Sequence, residues 1–143
     1  MNYNVALQMD FVQNNILLIA VAFASGAMLI WPFVRRTAGG PWLSTLQATV
    51  MINREDALLI DVRDAAEYAK GHILGAKNVP LADLERRLAE FDKHKAKPVI
   101  LHCDTGSRAT RALGVLKGRG FAKVFNLAGG YGAWQQAGLP VGK

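Results

Sequence analysis

The sequence predicts an α/β fold, a parallel sheet flanked by helices, preceded by one amino-terminal transmembrane helix. Three observations carry this. Residues 16–34 run for 19 positions without a charge. From about residue 43 short apolar runs alternate with amphipathic stretches across short connections, the pattern of parallel strands with crossover helices. The run Val99, Ile100, Leu101 is apolar throughout, as a strand buried on both faces must be.

Hydrophobic residues make up 51% of the 143, and the excess sits in residues 16–34. As a helix, that run is long enough to cross about 30 Å of hydrocarbon. Pro32 falls in its last turn and is expected to kink or end the helix there. Trp31 and Trp42 stand where interfacial aromatics are common. Residues 1–15 contain Asp10 and no Lys or Arg, so the basic region of a cleaved signal peptide is missing. A retained anchor is therefore expected, with residues 1–15 as a short non-cytoplasmic tail. All 17 Lys and Arg follow the run, beginning at Arg35 and Arg36, which by the positive-inside rule places the carboxyl-terminal domain in the cytoplasm. Ala22 and Gly26 form a small-xxx-small pair that could let two such helices approach. Small residues are frequent in membrane helices, and an ordinary lipid-facing anchor is the simpler reading.

Residues 35–42, with Gly39, Gly40 and Pro41, read as a juxtamembrane linker, and residues 43–143 as one domain. Ser44 with Gln47 is a capping box opening a helix to about Asn53. Residues 57–61 form a buried strand. Asp64 with Glu67 repeats the capping box and starts a short helix ending near Gly71. Residues 77–80 hold only a brief strand. Leu81, Leu84, Leu88 and Phe91 share one helix face, with Glu85, Arg86 and Glu90 turned away. The strand at 99–101 leads into a helix over 108–116 that closes at Gly118 or Gly120. A strand over 123–127 and a helix over 131–137 complete the chain.

From residue 35 onward 17 basic residues face 10 acidic ones (all 11 except Asp10), a net of +7. That charge suits anionic lipid head groups near an anchor. No nucleic-acid motif or basic helix face interleaved with aromatics is present, so no nucleic-acid partner is expected. The single cysteine excludes an intrachain disulfide and an internal resolving thiol.

That cysteine, Cys103, falls at the carboxyl end of the predicted central strand, facing the start of the next helix, where open α/β sheets place their sites. Gly106 permits a tight turn. The N–H groups of residues 104–108 and the helix dipole would favour a thiolate, the nucleophilic form. Read blandly, Cys103 is a small buried apolar residue; the Gly and Arg at fixed offsets behind it favour a chemical role.

Three segments together resemble the rhodanese family. The first is Asp61-Val62-Arg63, Glu67-Tyr68, Gly71-His72-Ile73, Gly75-Ala76 and Asn78-Val79-Pro80. The second is the Cys103 loop. The third is Gly129-Gly130-Tyr131, Ala133-Trp134 and Gly138-Leu139-Pro140-Val141. Their order and spacing match over about residues 43–143, and the whole chain resembles bacterial membrane-anchored single-domain members.

The resemblance implies sulfur transfer without a cofactor. Cys103 would attack the outer sulfur of a small donor, carry it as a persulfide and pass it to a thiol or other thiophilic acceptor. Asp104, Thr105, Gly106, Ser107 and Arg108 would form the active-site loop, their N–H groups stabilising the sulfur anion. Arg108 would orient a donor oxyanion; its plainer reading is a salt bridge that shapes the loop. The resemblance also implies placement in the bacterial inner membrane, single-pass, through residues 16–34. Asp61 and Arg63 read as loop-holding residues and Trp134 as core. His72 and His102 have no further ligands at useful spacing, so no metal is expected. His102 neighbours Cys103 on a strand, where successive side chains point to opposite faces, and is a poor base for it.

Two alternatives follow from the same residues. Cysteine phosphatases and arsenate reductases normally place five residues between Cys and Arg; four separate Cys103 from Arg108, leaving less room for a tetrahedral oxyanion. A membrane-tethered adaptor docking on integral-membrane protein complexes would need no cysteine, and Cys103 is present. Asp104 beside the nucleophile opposes anionic donors and works against the thiolate, which favours a persulfide over thiosulfate as donor.

Overall fold

The computed structural model describes the backbone of residues 3–38 and 40–143 and the side chains of residues 9–32 and 40–143. The chain divides into two compact units, Met1–Ala38 and Gly39–Lys143.

The first unit is two helices, α1 (Tyr3–Asn14) and α2 (Ile16–Ala38). The tail expected over residues 1–15 is thus mostly helical. Helix α2 carries the apolar run and does not end at Pro32. A proline removes one i→i−4 hydrogen bond, and the turns on either side of it remain helical. Leu17, Leu18, Phe23, Met28 and Leu29 are exposed along it. Among the described residues no helix is long and apolar enough to cross a membrane. The side chains of Phe33, Val34, Arg35 and Arg36, and Gly39 of the expected linker, lie outside the described residues.

The second unit is built on a five-stranded parallel sheet. Its strands are β1 (Trp42–Leu43), β2 (Leu58–Asp61), β4 (Lys77–Asn78), β5 (Pro98–His102) and β6 (Lys123–Leu127), in the order β1-β6-β5-β2-β4. Strand β5 is central, and all five of its residues are buried. Alternate residues of the strands feed two cores. Leu58, Ile60, Val99, Leu101 and Val124 pack with Leu84, Leu88, Phe91, Ala109, Ala112, Leu113 and Leu116 on one face. Leu59, Ile100 and Leu127 pack with Leu43, Ala48, Ile73 and Trp134 on the other. Two-sided burial explains why these strands read as apolar runs without alternation. Each large aliphatic side chain removed from water contributes about 1.5–3 kcal/mol.

The helices start where the caps put them. Helix α3 (Thr45–Glu55) opens with the Ser44–Gln47 box: the Gln47 N–H donates to Ser44 Oγ at 3.2 Å and the Ser44 N–H to Gln47 Oε1 at 2.9 Å. Helix α4 (Ala65–Lys70) opens with Asp64, whose N–H donates to Glu67 Oε2 at 3.0 Å. The single helix expected from Leu81 to Phe91 is instead a short α5 (Leu84–Arg87) between 3₁₀ turns at Leu81–Asp83 and Leu88–His94. Leu84, Leu88 and Phe91 are nevertheless buried as the periodicity required. Helix α6 (Ser107–Gly118) and helix α7 (Gly130–Gln136) follow β5 and β6.

Two features were not anticipated. Trp42, assigned to the linker and to a membrane interface, lies in β1 and pairs with Asn126 of β6. The segments β3 (His72–Ile73) and β7 (Val141–Gly142) form a small antiparallel sheet that ties the carboxyl terminus to the loop after α4. Two-residue strands leave no periodicity to detect.

Candidate active site

Parallel pairing of β2 with β5 sets Asp61 beside His102. The residues that follow each strand therefore emerge together at the carboxyl edge of the sheet: Val62, Arg63, Asp64 and α4 from one, Cys103 to Arg108 from the other. All the candidate residues lie at this edge.

Cys103 follows the last residue of β5 and is buried. The chain turns at Gly106, whose φ of +91° lies in the left-handed region open to glycine, and this turn aims the Gly106 N–H at Cys103 Sγ, 3.0 Å away. The Gly106 carbonyl then accepts from the Thr110 N–H at 2.9 Å and from Thr110 Oγ1 at 3.0 Å, which starts α6. A Cβ on Gly106 would lie 2.8 Å from the ring edge of Trp42, so the tryptophan of β1 walls one side of the loop. Asp104, Thr105 and Ser107 are exposed above the buried sulfur, with the Thr105 and Ser107 hydroxyls 3.4 Å apart.

The other end of the loop is gripped by α7. The Tyr131 N–H donates to the Cys103 carbonyl at 3.0 Å. Gly130, with φ +55°, passes so close that an added Cβ would sit 1.9 Å from the same carbonyl oxygen. Only glycine fits there. The turn glycine of the third segment is thus part of the site's frame.

Arg108 does not stand free for a donor oxyanion. Its Nη1 and Nη2 donate to Glu67 Oε2 and Oε1 at 2.6 and 2.9 Å, a bidentate pair between α6 and α4. Asp104 Oδ2 lies 3.3 Å from Arg108 Nη2, and Asp64 Oδ2 3.8 Å from Nη1. Asp104 also reaches Arg63 Nη1 at 3.4 Å through Oδ1 and so bridges both guanidinium groups. Arg63 is buried against Asp61 at 2.6 Å, donates to the Gly71 carbonyl at 2.8 Å and lies 4.3 Å from the centre of the Tyr131 ring. The expected loop-holding pair is therefore a direct one. Asn78 Nδ2 secures the same corner, donating to the Asp61 and Arg63 carbonyls at 3.2 and 2.9 Å.

These contacts set the charges. The Arg108 fork holds Glu67 well below the usual carboxylate range, at about 2. Burial and the neighbouring Glu67 push Asp104 upward. Burial pushes His102 down to about 4, so its ring is neutral near pH 7, and Asp61 Oδ2 at 3.7 Å is a polar neighbour rather than an ion-pair partner. His102 is fully buried. Trp134 is buried in the core, its indole N–H donating to the Pro140 carbonyl at 3.0 Å, and His72 stacks on Tyr68 with ring centroids 3.8 Å apart.

Sequence reasoning placed Glu67 only as a helix cap and missed it as the partner of Arg108. The signal was available in the order of elements. A helix following the strand next to the cysteine strand must begin beside the cysteine loop, and Glu67 is in its first turn.

The profile of the rhodanese-like domain family matches residues 44–137. The chain belongs to this family. Among its relatives is the protein YibN of Escherichia coli K12, 34% identical over 135 residues, covering 93% of this chain and 94% of that one. A protein of Allochromatium vinosum named a sulfurtransferase is 36% identical over 91 residues, covering 64% of this chain and 83% of its own. Solved structures agree on the fold. The rhodanese-like domain of an Anabaena protein superposes with a TM-score of 0.65 at 27% identity, covering 71% of this chain and 78% of that one. A human single-domain sulfurtransferase gives 0.61 at 28%, covering 68% and 96%.

Proposed function

We propose that this rhodanese-like chain is a sulfurtransferase that carries a sulfane sulfur on Cys103. The observation that supports it most is the seat of the cysteine: a thiol at the carboxyl end of the central strand, with the Gly106 N–H 3.0 Å from its sulfur and an arginine five residues on. A relative bearing the name sulfurtransferase is 36% identical over 91 residues, and a human protein so named shares this fold.

The chemistry is a pair of displacements at sulfur. The Cys103 thiolate attacks the outer sulfur of the donor; the donor's bond to that sulfur breaks, and its electron pair leaves with the remainder. The persulfide on Cys103 is then attacked at its outer sulfur by the acceptor, and the electron pair of the broken S–S bond returns to Cys103. The Gly106 N–H stabilises negative charge on sulfur in both steps without reorganising. Cys103 is buried, while Asp104, Thr105 and Ser107 of its loop are exposed. Thiocyanate formation from thiosulfate or cysteine persulfide and cyanide tests the activity. The 143-residue chain is expected to turn over with at least one donor and the Cys103→Ser chain with neither; equal rates in both would end the proposal.

The same proposal places the domain at the cytoplasmic face of the bacterial inner membrane, held through residues 16–34. Nineteen uncharged residues followed by every Lys and Arg of the chain support it, as do the exposed Leu17, Phe23 and Met28. Fractionation of cells carrying the whole chain should leave it in carbonate-washed membranes. Recovery in the soluble fraction would refute the attachment while leaving the chemistry intact.

A further inference from the structure

Two guanidinium groups and four carboxylates meet at the mouth of the cysteine loop, and the geometry fixes which of them a ligand can use. Arg63 is committed to Asp61 and to the Gly71 carbonyl. Arg108 gives both terminal nitrogens to Glu67. Glu67 is pinned in turn, because its Oε2 also accepts from the Asp64 N–H at 3.0 Å. Asp104 lies between the two arginines and Asp64 at the rim. A sulfonate-type donor such as thiosulfate carries two negative charges and oxygens that suit a guanidinium fork. Here it meets a fork already filled by an anchored carboxylate, inside a ring with more negative charge than positive. A persulfide R–S–SH has no oxygens for a guanidinium fork to hold and carries at most one negative charge on its sulfurs, so the filled fork costs it little.

We propose that Glu67 is a specificity-determining residue: by filling the Arg108 fork it turns the site from dianionic sulfonate-type donors towards persulfides, which carry no oxyanion. This rests on the sulfur-carrier reading of Cys103. With a persulfide the step is Cys103–S⁻ plus R–S–SH giving Cys103–S–SH plus R–S⁻. The new bond joins Sγ to the outer sulfur, the S–S bond of the donor breaks, and its electron pair leaves on R–S⁻. With thiosulfate the same attack expels sulfite, and the two anions must approach through the carboxylate ring.

The test compares kcat/KM for thiosulfate and for cysteine persulfide in the whole chain, in Glu67→Gln and in Glu67→Gln/Arg108→Gln. Glutamine keeps a carbonyl oxygen for the Asp64 N–H, so the start of α4 is preserved while the charge is lost. The ratio of thiosulfate to persulfide is expected to rise about tenfold or more in Glu67→Gln, the worth of one freed charge-assisted hydrogen bond, and to lose that rise in the double variant. Asp104→Asn, which removes a more distant carboxylate, is expected to raise the ratio less. An unchanged ratio in Glu67→Gln, a rise that survives loss of Arg108, or a larger effect from Asp104→Asn would overturn the proposal. Failure of both donors to load the unmodified chain would instead overturn the sulfur-carrier reading beneath it.

Discussion

Gly130→Ala puts the frame of the cysteine loop to a direct test. An alanine Cβ would lie 1.9 Å from the Cys103 carbonyl oxygen and 2.8 Å from that of Asp104, where real contacts begin above 3.0 Å. Backbone must therefore separate by about 1 Å, and the atom that yields belongs to Cys103 itself. The φ of +55° adds roughly 1–2 kcal/mol for any residue with a Cβ. Loss of the Tyr131 N–H bond to the Cys103 carbonyl adds about 1 kcal/mol. Together these amount to about 2–3 kcal/mol, or roughly a 10 °C fall in Tm for a domain of this size. Displacement of a nucleophile by about 1 Å slows chemistry by on the order of a hundredfold. Calorimetry and the rate of persulfide formation on Cys103 read the two effects. Gly132→Ala is the control two residues on, since its Cβ would meet nothing within 4 Å and alanine favours a helix. If Gly130→Ala kept both the Tm and the loading rate of its Gly132→Ala counterpart, the proposed clamp would be wrong.

Further outcomes follow from the buried polar groups. Asp61→Ala leaves the Arg63 guanidinium, 3% exposed, without its partner, and should cost about 3–5 kcal/mol in urea unfolding, well beyond the effect of an exposed pair such as Asp83–Arg86. His102 has a folded value of about 4 against an ordinary 6.5, so the unfolded chain takes up its proton first as pH falls. Its contribution is complete above pH 6.5, erodes by up to about 3 kcal/mol down to pH 4 and then levels. His102→Phe should remove that slope from the difference between stability curves, and an identical slope in both proteins would contradict a neutral buried ring. Gly106→Ala, with φ +91° and Trp42 2.8 Å from its Cβ, should slow persulfide formation more than it lowers Tm, because the strain falls on the turn that aims the N–H at sulfur.

Much of this was legible in the chain because it was locally encoded. Ser44 with Gln47 and Asp64 with Glu67 marked helix starts by side chains that serve their own first turns. Strands β2 and β5 announced themselves because a sheet covered on both faces demands apolar residues at every position. Cys103 and its loop were legible because Gly106 and Arg108 stand at fixed offsets. What was missed depends on partners distant in sequence. Trp42 has two residues in which to declare a strand, and pairing with β6 supplies the rest. Tyr131 and Gly130 meet the Cys103 carbonyl from 27 or more residues away, which no local pattern records. For Arg108 the sequence allowed either a donor oxyanion or a loop-shaping salt bridge, and it did not name the carboxylate, because Glu67, 41 residues earlier, was already explained as a cap. The helix expected over Leu81 to Phe91 kept its buried face but not its regularity, since burial constrains side chains more tightly than it constrains the turn type.

The central claim is that Cys103 carries sulfur, and intact mass spectrometry of the whole chain reads it directly. After exposure to thiosulfate or cysteine persulfide, the chain should gain one sulfur, about 32 Da, on Cys103. The gain should be lost on adding cyanide and absent from Cys103→Ser. A folded chain with a reduced thiol that gains no sulfur from either donor would contradict the account and leave the rhodanese fold here as a binding module.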